Sequence, residues 1–300
     1  MANKISYGQH LFPGGPDLYI RTGSSDLREN ESHFNIQRSL AMAFSNEFSN
    51  SIFSQLAQQF HFNPNSDVHL SFMNYGDTQL VYRATIANDT QFAVLINQPQ
   101  TPLGVVKKEF DNLQQLVEID PRFVVKPHAF NRVGKHELYA SEYIDNAFCI
   151  AHLNRGNNPH GVYDPVPYYH FENFPPQIID KVNASMIALL VNYYDERKKL
   201  GIAKTQTSGN DFLLTRDFSM DNPDSVLPNI KIIAARDTVN ITLNEYLDLI
   251  RYEFALETFR SDEEVKSGQI KVNHHSKTPM TSGQIEEGIE IGMGLRKQEK

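Results

Sequence analysis

Cysteine is nearly missing from this chain. The single Cys149 rules out an internal disulfide and any zinc site built on several thiolates. It sits in the apolar segment AFCIAHL, where a buried, inert thiol is expected; pairing with His152 is the weaker alternative. Tryptophan is absent too, so 19 Phe and 13 Tyr supply the large aromatic surfaces. No apolar run approaches the roughly 20 residues that span a bilayer. The first residues, MANKISYGQHLFPGG, lack the apolar stretch of about 7–15 residues of a classical secretory signal. The expectation is therefore a cytoplasmic protein, or one delivered without such a signal. Positive charge is in deficit: a net charge of −8 argues against sequence-independent nucleic-acid binding, which needs clustered Lys and Arg. Several motifs that would name a chemistry are also lacking: G-x-S-x-G, H-E-x-x-H, the phosphate-binding G-x-x-x-x-G-K-[ST], and any C-x-x-C pair.

What is present describes a globular chain of 300 residues, 40% hydrophobic and 21% charged, enough for one two-lobed domain or two small ones. Residues 1–32, rich in Gly, Pro, Ser and Asn, read as an irregular arm. From His33, the residues Ile36, Leu40, Phe44, Phe48, Ile52, Leu56 and Phe60 recur every four positions. They form one helical stripe, broken near Ser49–Ser51 and stopped by Asn63–Pro64. This helix over 33–60 packs on the main domain or offers a surface to a protein partner.

Residues 67–96 read as three strands, VHLSFM, QLVYRATI and FAVLI, separated by turn chemistry at Asn74–Thr78 and Asn88–Thr90. A helix follows over 105–118, with Val106, Phe110, Leu113 and Val117 on one face. FVVK and ELYASEYID read as two more strands. Residues 146–174 form a long Pro-, Asn- and Tyr-rich loop. Its His160, Asp164 and His170 fit solvated or capping roles better than a metal site. Pro175–Pro176 opens a helix whose buried face is Ile178, Val182, Met186, Leu189, Leu190 and Tyr193. Thr242 and Glu245 make a capping box for a helix to about Phe259. Residues 263–300 read as a flexible tail with a weak helical signal in IEEGIEIGMGL.

The segment Gly201–Leu214, GIAKTQTSGNDFLL, resembles the catalytic loop of the protein-kinase superfamily, H-R-D-x-x-x-x-N followed by apolar residues. Lys204 stands at the family's His, Gln206 at its catalytic Asp, Ser208 at the Lys two residues on, and Asp211 at its metal-binding Asn. NYGDTQLVYRA resembles the Gly-rich loop and the strand after it, with Gly76 at the second glycine, Val81 at the valine and Gln79 at the third glycine. FAVL resembles the strand of V-A-I-K, with Leu95 where the nucleotide-binding lysine belongs. KKEFDNLQQL is similar to the next helix, with Glu109 at the glutamate that pairs with that lysine. SEYID, containing Glu142, resembles the hinge that holds adenine. In IKIIAARD the simplest register puts Ala234, Ala235 and Arg236 at D-F-G. A shift of three, which needs an irregular strand end, would use Asp237.

The resemblance implies an α+β, two-lobed kinase-like fold, of the plan shared by protein kinases and aminoglycoside phosphotransferases. It would have an arm and helical extension at 1–64, an antiparallel-sheet amino lobe at 65–145, a mainly helical carboxy lobe at 146–262 and a tail at 263–300. Phosphoryl transfer needs a cation on the phosphates, carboxylates on the metal and a base at the nucleophile. Leu95, Ala234 and Gln206 replace all three, and an amide cannot take a proton as a carboxylate does. The resemblance thus points to a pseudokinase, a binding or scaffolding protein with a protein partner, no expected catalytic residue and no expected cofactor. In that case Glu109 is a solvated residue or pairs with Lys107, Lys108 or Arg83. The enzymatic alternative is an atypical nucleotide-dependent transferase, moving AMP, glutamate or a phosphoryl group to a small molecule. It would use Gln206, Asp211 and Asp237, with ATP and magnesium or manganese on Asp211 and Asp237. Its nucleotide cleft would include Gly76, Leu95, Glu109, Glu142 and Lys204.

Overall fold

The computed structural model describes residues 7–9, 18–21, 31–45, 48–63, 66–75, 78–86, 89–145, 147–150, 175–203, 211–266 and 281–298. The chain divides into two compact units. One runs to Gln114 and includes Val125–Tyr143; the other takes Gln115–Val124 and most of the chain from Ile144 on.

The first unit is built on five antiparallel strands, β3 (Val68–Tyr75), β4 (Gln79–Ile86), β5 (Thr90–Asn97), β6 (Pro127–Val133) and β7 (His136–Glu142), in the order β3-β4-β5-β7-β6. The alternation read from the sequence is the alternation of burial. Leu80, Tyr82, Ala84 and Ile86 of β4 and Phe92, Val94 and Ile96 of β5 point into one core. Helices α1 (Glu31–Ala43) and α2 (Ile52–Phe60) cover that face. Ser51 caps α2 by accepting the Ser54 amide, and His61 closes it in the left-handed conformation at φ 58°.

The apolar stripe of 33–60 is therefore spent inside the chain. Ile36, Leu40, Phe44, Ile52 and Leu56 are buried against the sheet, leaving only Phe48 and Phe60 partly exposed. This is the packing on the main domain that the stripe predicts. The opposite face carries helix α3 (Val105–Ile119), whose Phe110 ring lies 5.7 Å from Phe130 and 5.8 Å from Tyr139.

Two expectations are corrected here. The arm at 1–32 contains strands β1 (Tyr7–Gln9) and β2 (Leu18–Arg21), and β2 pairs in parallel with Val68–Ser71. Nothing local signals a pairing across so many residues. FVVK is not a regular strand: the Asp120 carboxylate accepts the Arg122 amide and turns Pro121–Phe123 into a 3-10 turn, Val124 makes an isolated bridge to Ile232, and the ladder with β7 begins at Pro127. Phe123, Val124 and Val125 are apolar because they are buried.

In the second unit, strands β8 (Ala147–Cys149), β10 (Phe212–Thr215) and β11 (Ile230–Ile232) form one small sheet; β9 (Leu200–Ile202) and β12 (Thr238–Asn240) form another. Helix α4 (Pro176–Asn192) is buried on nearly all sides. Helix α5 (Leu243–Lys266) starts at the expected capping box, with the Thr242 amide donating to Glu245 Oε2 at 2.8 Å.

The flexible-tail reading is corrected over Ser282–Gln298, which form helix α6 lying along α4 with Ile285 and Ile289 buried; residues 267–280 lie outside the described residues. Glycine lowers its intrinsic helicity, but Gly288 and Gly292 are where the two helices touch. Lys181 pairs with Glu287, and Arg296 bonds the Val191 and Tyr194 carbonyls as well as Glu196. Among the described residues no helix is long and apolar enough to cross a membrane.

Candidate functional site

In the first unit, Leu95 lies half-buried on β5, its Cα opposite Val81 on β4 and Tyr139 on β7. Glu109, on the second turn of α3, is fully buried. The solvated reading of Glu109 is thus overturned, because α3 turns this carboxylate inward onto the sheet. There it accepts a hydrogen bond of 2.5 Å from the Tyr139 hydroxyl, and Tyr139 is itself fully buried. A charge-assisted bond of this kind offsets part of the cost of removing a carboxylate from water.

Sequence reasoning passed over Tyr139. Its only local mark is an aromatic residue in an apolar strand, and the partner lies 30 residues away on another element. Glu137, two residues earlier on the same face of β7, was passed over too. Its carboxylate accepts the Gly104 amide at 2.9 Å and the Lys107 amide at 3.4 Å at the start of α3.

Glu142, at the expected hinge, is committed to the sheet. Its amide donates to the Lys126 carbonyl at 2.8 Å, and its carboxylate accepts from the Lys126 amide. Beside it, the Arg83 guanidinium lies 5.9 Å over the Tyr143 ring. Gly76 lies outside the described residues.

In the second unit, Lys204, Gln206 and Ser208 fall outside the described residues, as do His152, His160, Asp164 and His170. Before the stretch 204–210, the Tyr246 ring lies on Gly201 and its hydroxyl donates to the Ile202 carbonyl at 2.8 Å; the Ala203 amide then donates to the Asp237 carbonyl at 2.8 Å. After it, Asp211 is buried, and its carbonyl accepts the Ile233 amide at 2.8 Å.

The strand IKIIAARD stops at Ile232, and residues 233–237 take no regular form. Ala234 and Ala235 are buried methyl groups and offer no ligand atom from their side chains. Asp211 and Asp237 each make further interactions within the chain. Among the described residues, no group of three or more His, Cys, Asp or Glu side chains could hold a metal ion. Cys149 contributes its main chain to β8, opposite Leu213.

No family model and no curated protein matches the chain. Among solved structures, the BubR1 kinase domain is similar with a TM-score of 0.42 and 13% sequence identity, covering 71% of this chain; the chain spans 63% of the length of that one.

Proposed function

We propose that this chain is a pseudokinase-like binding or scaffolding protein, with a sheet-based lobe at 65–145, a mainly helical lobe at 146–262, and no ordinary phosphotransfer. The observation that carries the reading is the bond between Tyr139 and Glu109, beside Leu95. Where the resemblance would put a cation for nucleotide phosphates, the chain has an apolar side chain. The glutamate that would orient that cation is held by a neutral hydroxyl. Buried Ala234 in place of a metal-binding aspartate agrees with this, as does Gln206 in place of the catalytic base. The ligand of such a protein is another protein.

Calorimetric titration of the full chain with ATP and ADP, with and without magnesium or manganese, tests this reading. No heat of binding at millimolar nucleotide is expected. Metal-dependent micromolar binding would overturn it.

A second reading has one observation in its favour. Asp211 and Asp237 stand at either side of 204–210, each fixed through its own backbone carbonyl. An atypical nucleotide-dependent transferase would use these carboxylates for magnesium or manganese and Gln206 to orient the acceptor. Binding that requires metal and vanishes in the D211N/D237N double variant would move this reading ahead.

A further inference from the structure

We infer that strand β7 latches helix α3 at two points, so that the position of α3 is set within the first unit without a ligand. The side chains of Glu137 and Tyr139, two residues apart, leave the strand on the same face. Glu137 reaches the start of α3, where its carboxylate accepts from the amides of Gly104 and Lys107. Helix amides there have no partner within the helix and attract negative charge. Tyr139 reaches the next turn and donates to Glu109.

The latch has its own support. The Glu137 amide donates to Asn97 Oδ1 at 2.7 Å, and the Asn97 side-chain amide donates to the carbonyls of Gln98 and Lys135. Glu137, Tyr139, Glu109 and Asn97 are each no more than 4% exposed, so water does not readily compete for the buried Tyr139–Glu109 and Glu137–Asn97 bonds. A helix held by an exposed ion pair or by a bound ligand would move when that partner left. One held by three bonds from a paired strand, the Tyr139–Glu109 bond among them buried, moves only when the strand does. The inference does not depend on the functional proposal, because it uses contacts internal to one unit.

Amide hydrogen exchange on the full chain tests it, comparing wild type with Y139F and E109Q, each with and without millimolar ATP and magnesium. In Y139F, amides of residues 107–113 should exchange about tenfold faster or more, the scale set by loss of one charge-assisted hydrogen bond, while β4 and α4 keep their protection. E109Q, whose amide oxygen still accepts from Tyr139, should stay close to wild type. If Y139F does not fold, the Y139F/E109L double variant removes the buried carboxylate together with its donor and should show the same local loss. Nucleotide should leave α3 exchange unchanged. Unaltered exchange of 107–113 in the folded Tyr139 variant, or protection of α3 by nucleotide, would overturn the latch. Calorimetric nucleotide binding with α3 exchange unchanged would sink the scaffold reading and leave the latch standing.

Discussion

A methyl group added at Gly288 would lie 2.7 Å from the carbonyl oxygen of Ala184, closer than any real Cβ approaches a backbone oxygen. Gly292 stands in the same relation to Ala188, one turn along both helices. Helices α6 and α4 thus meet backbone to backbone, and glycine is required by that approach. G288A and G292A should each destabilise the chain by about 1–3 kcal/mol through overpacking. G294A meets nothing within 4 Å and should be neutral or stabilising by up to about 1 kcal/mol. Urea denaturation followed by circular dichroism separates the three variants.

Asp120 is buried where the chain turns after α3. Burial alone would raise its pKa; hydrogen bonds from Arg122 and Asn192, with the Arg122 charge, outweigh that and hold the carboxyl below its ordinary value. The Tyr193 hydroxyl donates to the Asp120 carbonyl at 2.6 Å. The folded state therefore binds this proton more weakly than the unfolded one. The stability it contributes is present above the unfolded value near 3.8 and is lost as pH falls through the lower folded value. D120A should cost about 1–3 kcal/mol at neutral pH by leaving the buried Asn192 amide without its carboxylate partner, and acid titration of the wild type should show the loss below pH 4.

His128 packs edge-on against Phe60 and Phe92, and burial, aided by the nearby Lys126 charge, pushes its pKa down to about 4. Burial and Lys135 lower that of His136 as well. Both imidazoles are held neutral, so the unfolded state takes up protons first as the solution is acidified. Their contribution is complete above the ordinary value of 6.5 and for His128 falls away between about 6.5 and about 4. Denaturation midpoints at pH 7.5 and pH 5 should differ less in H128F than in wild type.

Tyr246 joins α5 to the strand just before 204–210. Y246F should cost about 1–2 kcal/mol by leaving the Ile202 carbonyl without its hydroxyl donor. G201A should cost more, because its Cβ would fall 2.4 Å from the Tyr246 ring. If Asp237 serves a metal, G201A should also weaken metal-dependent nucleotide binding, since Ala203 holds the Asp237 carbonyl. Thermal melting and calorimetry on the same samples read the two effects apart.

Where neighbours in sequence are neighbours in space, the chain states its own structure. The fourfold stripe from Ile36 to Phe60 becomes two helices with a break between Ala43 and Ile52, and period-two alternation in QLVYRATI becomes β4. Thr242 and Glu245, three residues apart, find each other as a capping box must. These features rest on backbone periods of 3.6 and 2 and on short-range hydrogen bonds, which one stretch of residues expresses by itself.

Tertiary structure decided the rest: that β2 joins Val68–Ser71, that the ladder with β7 starts at Pro127, that two glycines of α6 rest on α4, and that Tyr139 meets Glu109. Leu95 was legible as an apolar residue of a buried strand. The partner of Glu109 was not. A buried carboxylate takes the donor that packing brings near, and packing joins elements whose sequence separation carries no local signal.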